Sequence, residues 1–183
     1  MEDFLILPPD YICGFVDGEG CFSLIYRQDI RRERKGSPIY YYWRASFSIF
    51  LNKEDEDILK KIKNVFNCGE IYTKKFTSYQ VVNLEELHNI VIPFFSAHPL
   101  YAKKKKDFVL WAEAVEILYK HKIEGLKFEK GHRGFSKKEF KEEELKRLLE
   151  IQKLIEIEKG EKGRFGKLKW MSLAHKESGC LPK

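Results

Sequence analysis

The stretch Tyr11-Ile12-Cys13-Gly14-Phe15-Val16-Asp17-Gly18-Glu19-Gly20, followed by Cys21–Arg27, decides how the chain is read. Pro8 and Pro9 precede it, and proline is tolerated in a helix's first turn, so a helix is expected to begin there and to stop near Gly18 or Gly20. At helical spacing Ile12, Phe15 and Val16 form an apolar stripe, while Asp10, Cys13, Gly14 and Asp17 form a narrow stripe of small or acidic residues. Small residues let a second backbone come close. From Cys21 the period becomes two, with Phe22, Leu24 and Tyr26 alternating with Cys21, Ser23, Ile25 and Arg27, which is a strand.

The same alternation is clearest in Ile39–Phe50. Odd positions (Ile39, Tyr41, Trp43, Ala45, Phe47, Ile49) suit a core, and even positions (Tyr40, Tyr42, Arg44, Ser46, Ser48) suit a wet or ligand-bearing face. A helix is expected over 53–66, short strands near 69–75 and 78–83, and helices over 84–97 and 103–120. A glycine-bearing linker over 121–135 and a charged helix capped by Ser136 complete the reading. Hairpins with helices on one face predict an α+β fold. The expected division is a core over 1–120 and a second part over 121–183, with linker, helix and basic tail packed on the core.

The chain has 183 residues, is 43% apolar and 14% aromatic, and carries a formal net charge of +6. It can bury a core, and nothing in it approaches the run of about 20 apolar residues that a spanning helix needs. Met1–Leu7 has no basic n-region and too short an apolar stretch for a secretory signal, and the four scattered cysteines (Cys13, Cys21, Cys68, Cys180) form no CxxC pair, so reduced thiols and an intracellular location are expected. An EF-hand is excluded, because Cys21 and Phe22 stand where that loop needs an oxygen ligand and glycine.

The positive charge is concentrated. Residues 26–44 hold six basic against two acidic residues, Lys103–Lys106 are four consecutive lysines, and residues 159–183 hold seven basic against two acidic. Beside the Arg-rich segment lies the Tyr40–Ser48 strand face. A sheet face of this kind can enter a groove and bond to base edges while flanking Lys and Arg neutralise phosphates.

With its following hairpin, the segment Cys13–Gly20 resembles the signature of the LAGLIDADG homing endonucleases: small residue, glycine, two apolar residues, Asp, small residue, acid, glycine. Phe47-Ser48-Ile49, Cys68-Gly69-Glu70-Ile71, Leu87-His88-Asn89 and Pro99-Leu100 before the lysines follow in the family's order, so the resemblance covers about residues 5–120. It implies an αββαββα fold with an antiparallel sheet saddle and a C-terminal helical extension. One motif in the chain implies a homodimer, the helices pairing through Asp10, Cys13, Gly14 and Asp17. Two Glu19 carboxylates would then meet at helix C-termini, an arrangement that divalent cations relieve. By the resemblance Glu19, with the Gly18 carbonyl, is the ligand of Mg²⁺, a site that Mn²⁺ or Ca²⁺ also suits. Lys103, with Lys104 as second choice, would stabilise charge on the scissile phosphate. Where many members have Gln, this chain has Leu51 followed by Asn52, which leaves Asn52 or a water network to order the attacking water.

The resemblance further implies double-stranded DNA as partner, both strands cut across a narrowed minor groove to leave 3′-hydroxyl ends at a long near-palindromic site. DNA would be read by Ser23, Ile25, Arg27, Tyr40, Tyr42, Arg44, Ser46 and Ser48, and on the later hairpin by Glu70, Tyr72, Lys74, Ser78 and Gln80. Arg31, Arg32 and Arg34 would grip backbone or outer bases. The alternative on the same fold is an intron maturase that binds its own intron RNA, and a third reading is a DNA-binding regulator without chemistry.

Overall fold

The computed structural model describes residues 7–30, 32, 35–36, 39–128 and 140–158. Helix α1, Pro9–Glu19, starts with Pro9 in its first turn and buries Ile12, Cys13 and Val16. It ends where the Gly20 N–H bonds to the Val16 carbonyl, and residue 20 is already extended, so the chain passes without a linker into strand β1, Gly20–Ile30. Only glycine fits at that junction: a Cβ at 20 would lie 2.5 Å from Val16 Cγ1 and 2.6 Å from the Val16 carbonyl oxygen.

Strand β2 is Ile39–Asn52. A 3₁₀ turn, Lys53–Asp55, leads into α2, Glu56–Phe66, which buries Leu59, Ile62 and Phe66. Asn67 and Gly69 take positive φ (49° and 70°) and turn the chain into β3, Glu70–Thr73, and β4, Phe76–Val81. The four antiparallel strands lie in the order β1-β2-β4-β3. The expected single helix over 84–97 is three pieces: α3 (Leu84–Glu86), a π turn (Leu87–Val91) and α4 (Ile92–Ala97). Pro93 has no N–H for the carbonyl of residue 89, and the widened turn is the local answer.

Helix α5, Lys104–Phe128, runs straight through the expected boundary at residue 120. The linker is expected from three glycines, of which Gly131 and Gly134 lie outside the described residues; Gly125 is buried inside the helix, where packing offsets a propensity cost of about 1 kcal/mol. Helix α6, Glu142–Glu158, lies on α5 and contributes Leu148, Ile151 and Ile155 to the same core. A bidentate Arg147–Glu113 pair at 2.6 Å fastens the two helices. Ser136 and the tail 159–183 lie outside the described residues.

Directly paired residues in an antiparallel ladder share a face. One face carries Phe22, Leu24, Trp43, Ala45, Phe47, Ile49, Tyr79 and Val81, all buried beneath the helices. Phe22 sits at the centre, with Phe47, Phe95, Phe108 and Trp111 at ring distances of 5.1–5.6 Å. The helices therefore cover one face of the sheet and leave the other open. Among the described residues no helix is long and apolar enough to cross a membrane.

Candidate active site

Glu19 is the last residue of α1 and is exposed. The helix carries no basic residue in its last turn, so its negative end is unneutralised by its own sequence. The final carbonyls of a helix have no N–H partner within it, and Gly18, in the last turn with Glu19, supplies one of them. Carboxylate and carbonyl oxygens at a negative helix end are the donors a hard divalent cation takes, so the two residues suit Mg²⁺. They are too few to enclose it, and the described residues contain no group of three or more His, Cys, Asp or Glu able to hold a metal.

The stripe expected to face a second helix divides. Cys13 turns into the core, and its Sγ donates to the His98 carbonyl at 3.2 Å. Burial, then Asp10 and Asp17, push its thiol pKa up and keep the proton in place for that bond. Val16 lies between Ile12 and Cys13 around the helix, so the covered face reaches as far as Cys13 and takes all three. Asp17 turns toward the start of α5. Asp10 and Gly14 remain on the open side with Tyr11 and Gly18. A Cβ at Gly14 or at Gly18 would meet nothing within 4 Å, so packing within the protomer does not account for either glycine.

Asp17 Oδ2 accepts the backbone N–H of Tyr101 at 2.8 Å and of Ala102 at 3.2 Å. This holds the segment just before α5, from which the Lys103–Lys106 run leads into that helix, at the end of the motif helix. The two candidate lysines are not equivalent. Lys103 is exposed, whereas Lys104 is partly covered and lies 3.9 Å from the buried Asp107 carboxylate.

The open sheet face carries Ser23, Ile25, Arg27, Tyr42, Arg44, Ser46, Ser48, Glu70, Tyr72, Ser78 and Gln80, all by register. Tyr40 joins them by register, its side chain outside the described residues, as are Arg31 and Arg34; Arg32 is an exposed turn residue. Three expected readers, Ser48, Ser78 and Lys74, are corrected. Ser48 and Ser78 are only 6% exposed, because short side chains on inner strands are overhung by their neighbours. Ser78 Oγ accepts from Gln80 Nε2 at 3.1 Å, so it supports Gln80. Lys74 sits in the β3–β4 turn, off the strand face. Glu70 is paired with Lys63 at 3.1 Å.

Leu51 points to the core side opposite Thr77, and Asn52 is exposed on the open face opposite Phe76. Gly20 pairs with Ile49, so Asn52 lies at the Glu19 end of the ladder, roughly 10 Å farther along β2. The sequence reading missed Phe50 and Phe76, both exposed on this face. Carrying the even-position alternation past Ser48 would have reached Phe50 and Asn52.

Comparison with known proteins gives the same architecture. The chain is 23% identical to a crystal form of I-SmaMI bound to uncleaved DNA target in the presence of calcium ions, with a TM-score of 0.67 over 97% of this chain and 51% of that one. With the homing endonuclease I-TnaI the TM-score is 0.66, at 23% identity, over 94% of this chain and 99% of that one. In sequence it is 32% identical over 70% of its length to "Probable intron-encoded endonuclease 2" of Neurospora crassa, covering 29% of that protein. It is 30% identical over 61% of its length to the homing endonuclease I-ApeII of Aeropyrum pernix, covering 65% of that protein. The chain spans between 21% and 29% of the length of the two Neurospora endonucleases it matches. The profile of the LAGLIDADG endonucleases matches residues 12–115, a span that begins in α1 and ends within α5 and so takes in Glu19, the open sheet face and Lys103 together; the chain belongs to the LAGLIDADG endonuclease family.

Proposed function

We propose that two copies of this chain pair through the open side of α1 and cut both strands of a long, near-palindromic double-stranded DNA site with the help of Mg²⁺. The observation that carries this reading is the position of Glu19: an exposed carboxylate at the negative end of α1, at the same end of the molecule as the Lys103 run, and beside an uncovered sheet face bearing Arg27 and Arg44. A carboxylate at a helix C-terminus is disfavoured by the dipole, and four lysines at a helix N-terminus are disfavoured likewise. A cation at the first and a phosphate at the second relieve both.

In this reading Gly14 and Gly18 admit the partner's helix, which brings a second Glu19 and completes the oxygen set. A bound Mg²⁺ would lower the pKa of water and stabilise the attacking and leaving oxygens. Glu19 and the Gly18 carbonyl would hold it. Lys103 neutralises charge that builds on the phosphate, and Asn52 orients water from the open face. Arg27, Tyr42, Arg44 and Gln80 bond to base edges in the major groove, where Arg and Gln distinguish guanine and adenine. Intron encoding in the named relatives supports a homing role at an intron-insertion site inside the cell. None of the geometry favours the RNA-splicing alternative.

The test is cleavage of duplex DNA carrying the uninterrupted insertion site of its own gene. Wild type with Mg²⁺ is expected to produce a double-strand break that chelation abolishes and that Glu19→Gln fails to make. Equal cutting by Glu19→Gln would overturn the role of Glu19.

A further inference from the structure

The open sheet face is polar along much of its length, and its most exposed large apolar side chains among the described residues lie together at one end. Phe50 on β2, Tyr72 on β3 and Phe76 on β4 are 54%, 55% and 56% exposed. Ser78 pairs with Phe50 on one side and with Tyr72 on the other, while Phe76 stands two residues before Ser78 on the same strand. Adjacent strands are about 4.8 Å apart, so the rings of Phe50 and Tyr72 rise roughly 10 Å apart over a short side chain, with Phe76 closing a third side. The floor is already satisfied: Ser78 Oγ donates to the Tyr72 carbonyl and accepts from Gln80 Nε2. The cup thus offers apolar walls and no free polar group from Ser78.

Three large rings left in water on one face ask for an occupant. Exposed Lys74 and Lys75 precede Phe76, and exposed Lys53 follows its ladder partner Asn52, so three lysines stand at the Phe76 edge of the cup, with Lys75 Nζ 5.7 Å from the Phe76 ring centre. An apolar cup edged by lysines complements a polyanion that carries apolar groups. In the major groove the one apolar group on a base edge is the thymine C5-methyl. The cup is continuous with the face bearing Gln80 and Arg44, and Phe50 is one residue beyond the partner of Gly20, so it lies at the Glu19 end.

We propose that Phe50, Tyr72 and Phe76 form a specificity subsite that takes thymine methyl groups at the base pairs of each half-site nearest the cleavage centre. The proposal rests on the DNA-cutting reading above. It predicts apolar readout at inner positions and hydrogen-bonded readout by Arg27, Tyr42 and Arg44 at outer ones.

The test begins with selection from a library of randomised duplexes, using protein carrying Glu19→Gln so that bound DNA stays intact. Thymines are expected to be enriched symmetrically about the centre. Replacing each such thymine by uracil deletes only the methyl and should weaken binding roughly three- to fivefold per methyl. In Phe50→Ala or Phe76→Ala protein the same replacement should have no effect. Both rings are exposed, and an unchanged melting midpoint verifies folding; either variant suffices. If uracil costs nothing, or costs the same in the Ala variants, the subsite is wrong and the nuclease reading stands. If no sequence is enriched, both fall. If Phe50→Ala instead abolishes self-association without DNA, the cup is a contact between copies and the proposal is overturned.

Discussion

The Asp17 carboxylate accepts the backbone N–H of Tyr101 at 2.8 Å, across 84 residues of chain, and the next N–H, from Ala102, at 3.2 Å. The penultimate acid of the motif thereby fixes the approach to α5, and with it the lysine run, relative to Glu19. Hydrogen bonds to a charged group contribute about 1.5–3 kcal/mol. Asp17→Ala is expected to lower the melting midpoint by roughly 3–10 °C and to lower cleavage further than Mg²⁺ can restore. Asp17→Asn keeps an accepting oxygen and should recover most of both. Paired calorimetry and cleavage rates check this; an unchanged rate for Asp17→Ala would separate the tether from the chemistry.

Glu19→Gln keeps the shape of the α1 terminus and removes the charge. DNA binding should persist within a few-fold, while cleavage should fall by roughly a hundredfold or more, the scale on which metal-site substitutions act. Gel-shift and cleavage measurements on the same duplex separate the two. Loss of binding equal to the loss of cutting would make Glu19 a folding residue.

The Gly14 and Gly18 positions meet nothing within the protomer. Gly14→Ala should therefore add about 0.5–1 kcal/mol to the stability of an isolated protomer through helix propensity. Gly14→Leu should instead leave the protein monomeric where wild type sediments as a dimer. Sedimentation velocity across a concentration series decides it, and a dimer that survives Gly14→Leu would place the pairing surface elsewhere.

Much of this was legible from residue order, and the failures have physical causes. The open face of β2 followed from alternation, because one face of an antiparallel sheet meets helices and the other water. The stripe on α1 divides, because composition singles out small residues without fixing which side of the helix turns to the core; Cys13 behaves as a small hydrophobe and turns inward. Phe50 and Phe76 were passed over because large rings normally signal burial. Ser48 and Ser78 were overrated because a residue's face is written in the pattern, but its exposure depends on what its cross-strand neighbours overhang. Asp17 meeting Tyr101 had no signature at all, since nothing local joins residues so far apart.

Arg147 grips Glu113 and Glu150, and the guanidinium beside Glu113 holds its carboxyl below the usual carboxylate range. A carboxylate with a lowered folded pKa stabilises fully above its unfolded pKa, and the contribution disappears as pH falls through the folded value. Both side chains are more than a third exposed, so the pair contributes about 1 kcal/mol or less. Glu113→Gln should lower the melting midpoint by a few degrees at pH 7, and the gap from wild type should close as the pH falls beneath the ordinary carboxylate range. A gap that stays constant down to pH 3 would assign the effect to packing of α6 on α5.

Lys103 and Lys104 are neighbours with opposite prospects. Lys104 is partly covered and faces the buried Asp107, which opens α5 as the acidic residue of its first turn. Lys104→Met removes the ammonium 3.9 Å from that carboxylate, so it should cost stability, about 1–2 kcal/mol, with cleavage per folded molecule largely kept. Lys103 is exposed and stands directly after the segment held by Asp17. Lys103→Met should leave the melting midpoint within about 1 °C and lower the cleavage rate roughly a hundredfold, as expected when one charge-stabilising donor is lost from a reacting phosphate. Single-turnover rates at saturating protein isolate the chemical step from binding. If Lys104→Met loses the rate and Lys103→Met does not, the roles are exchanged, and the Asp107 contact would be a way of aiming the reacting lysine.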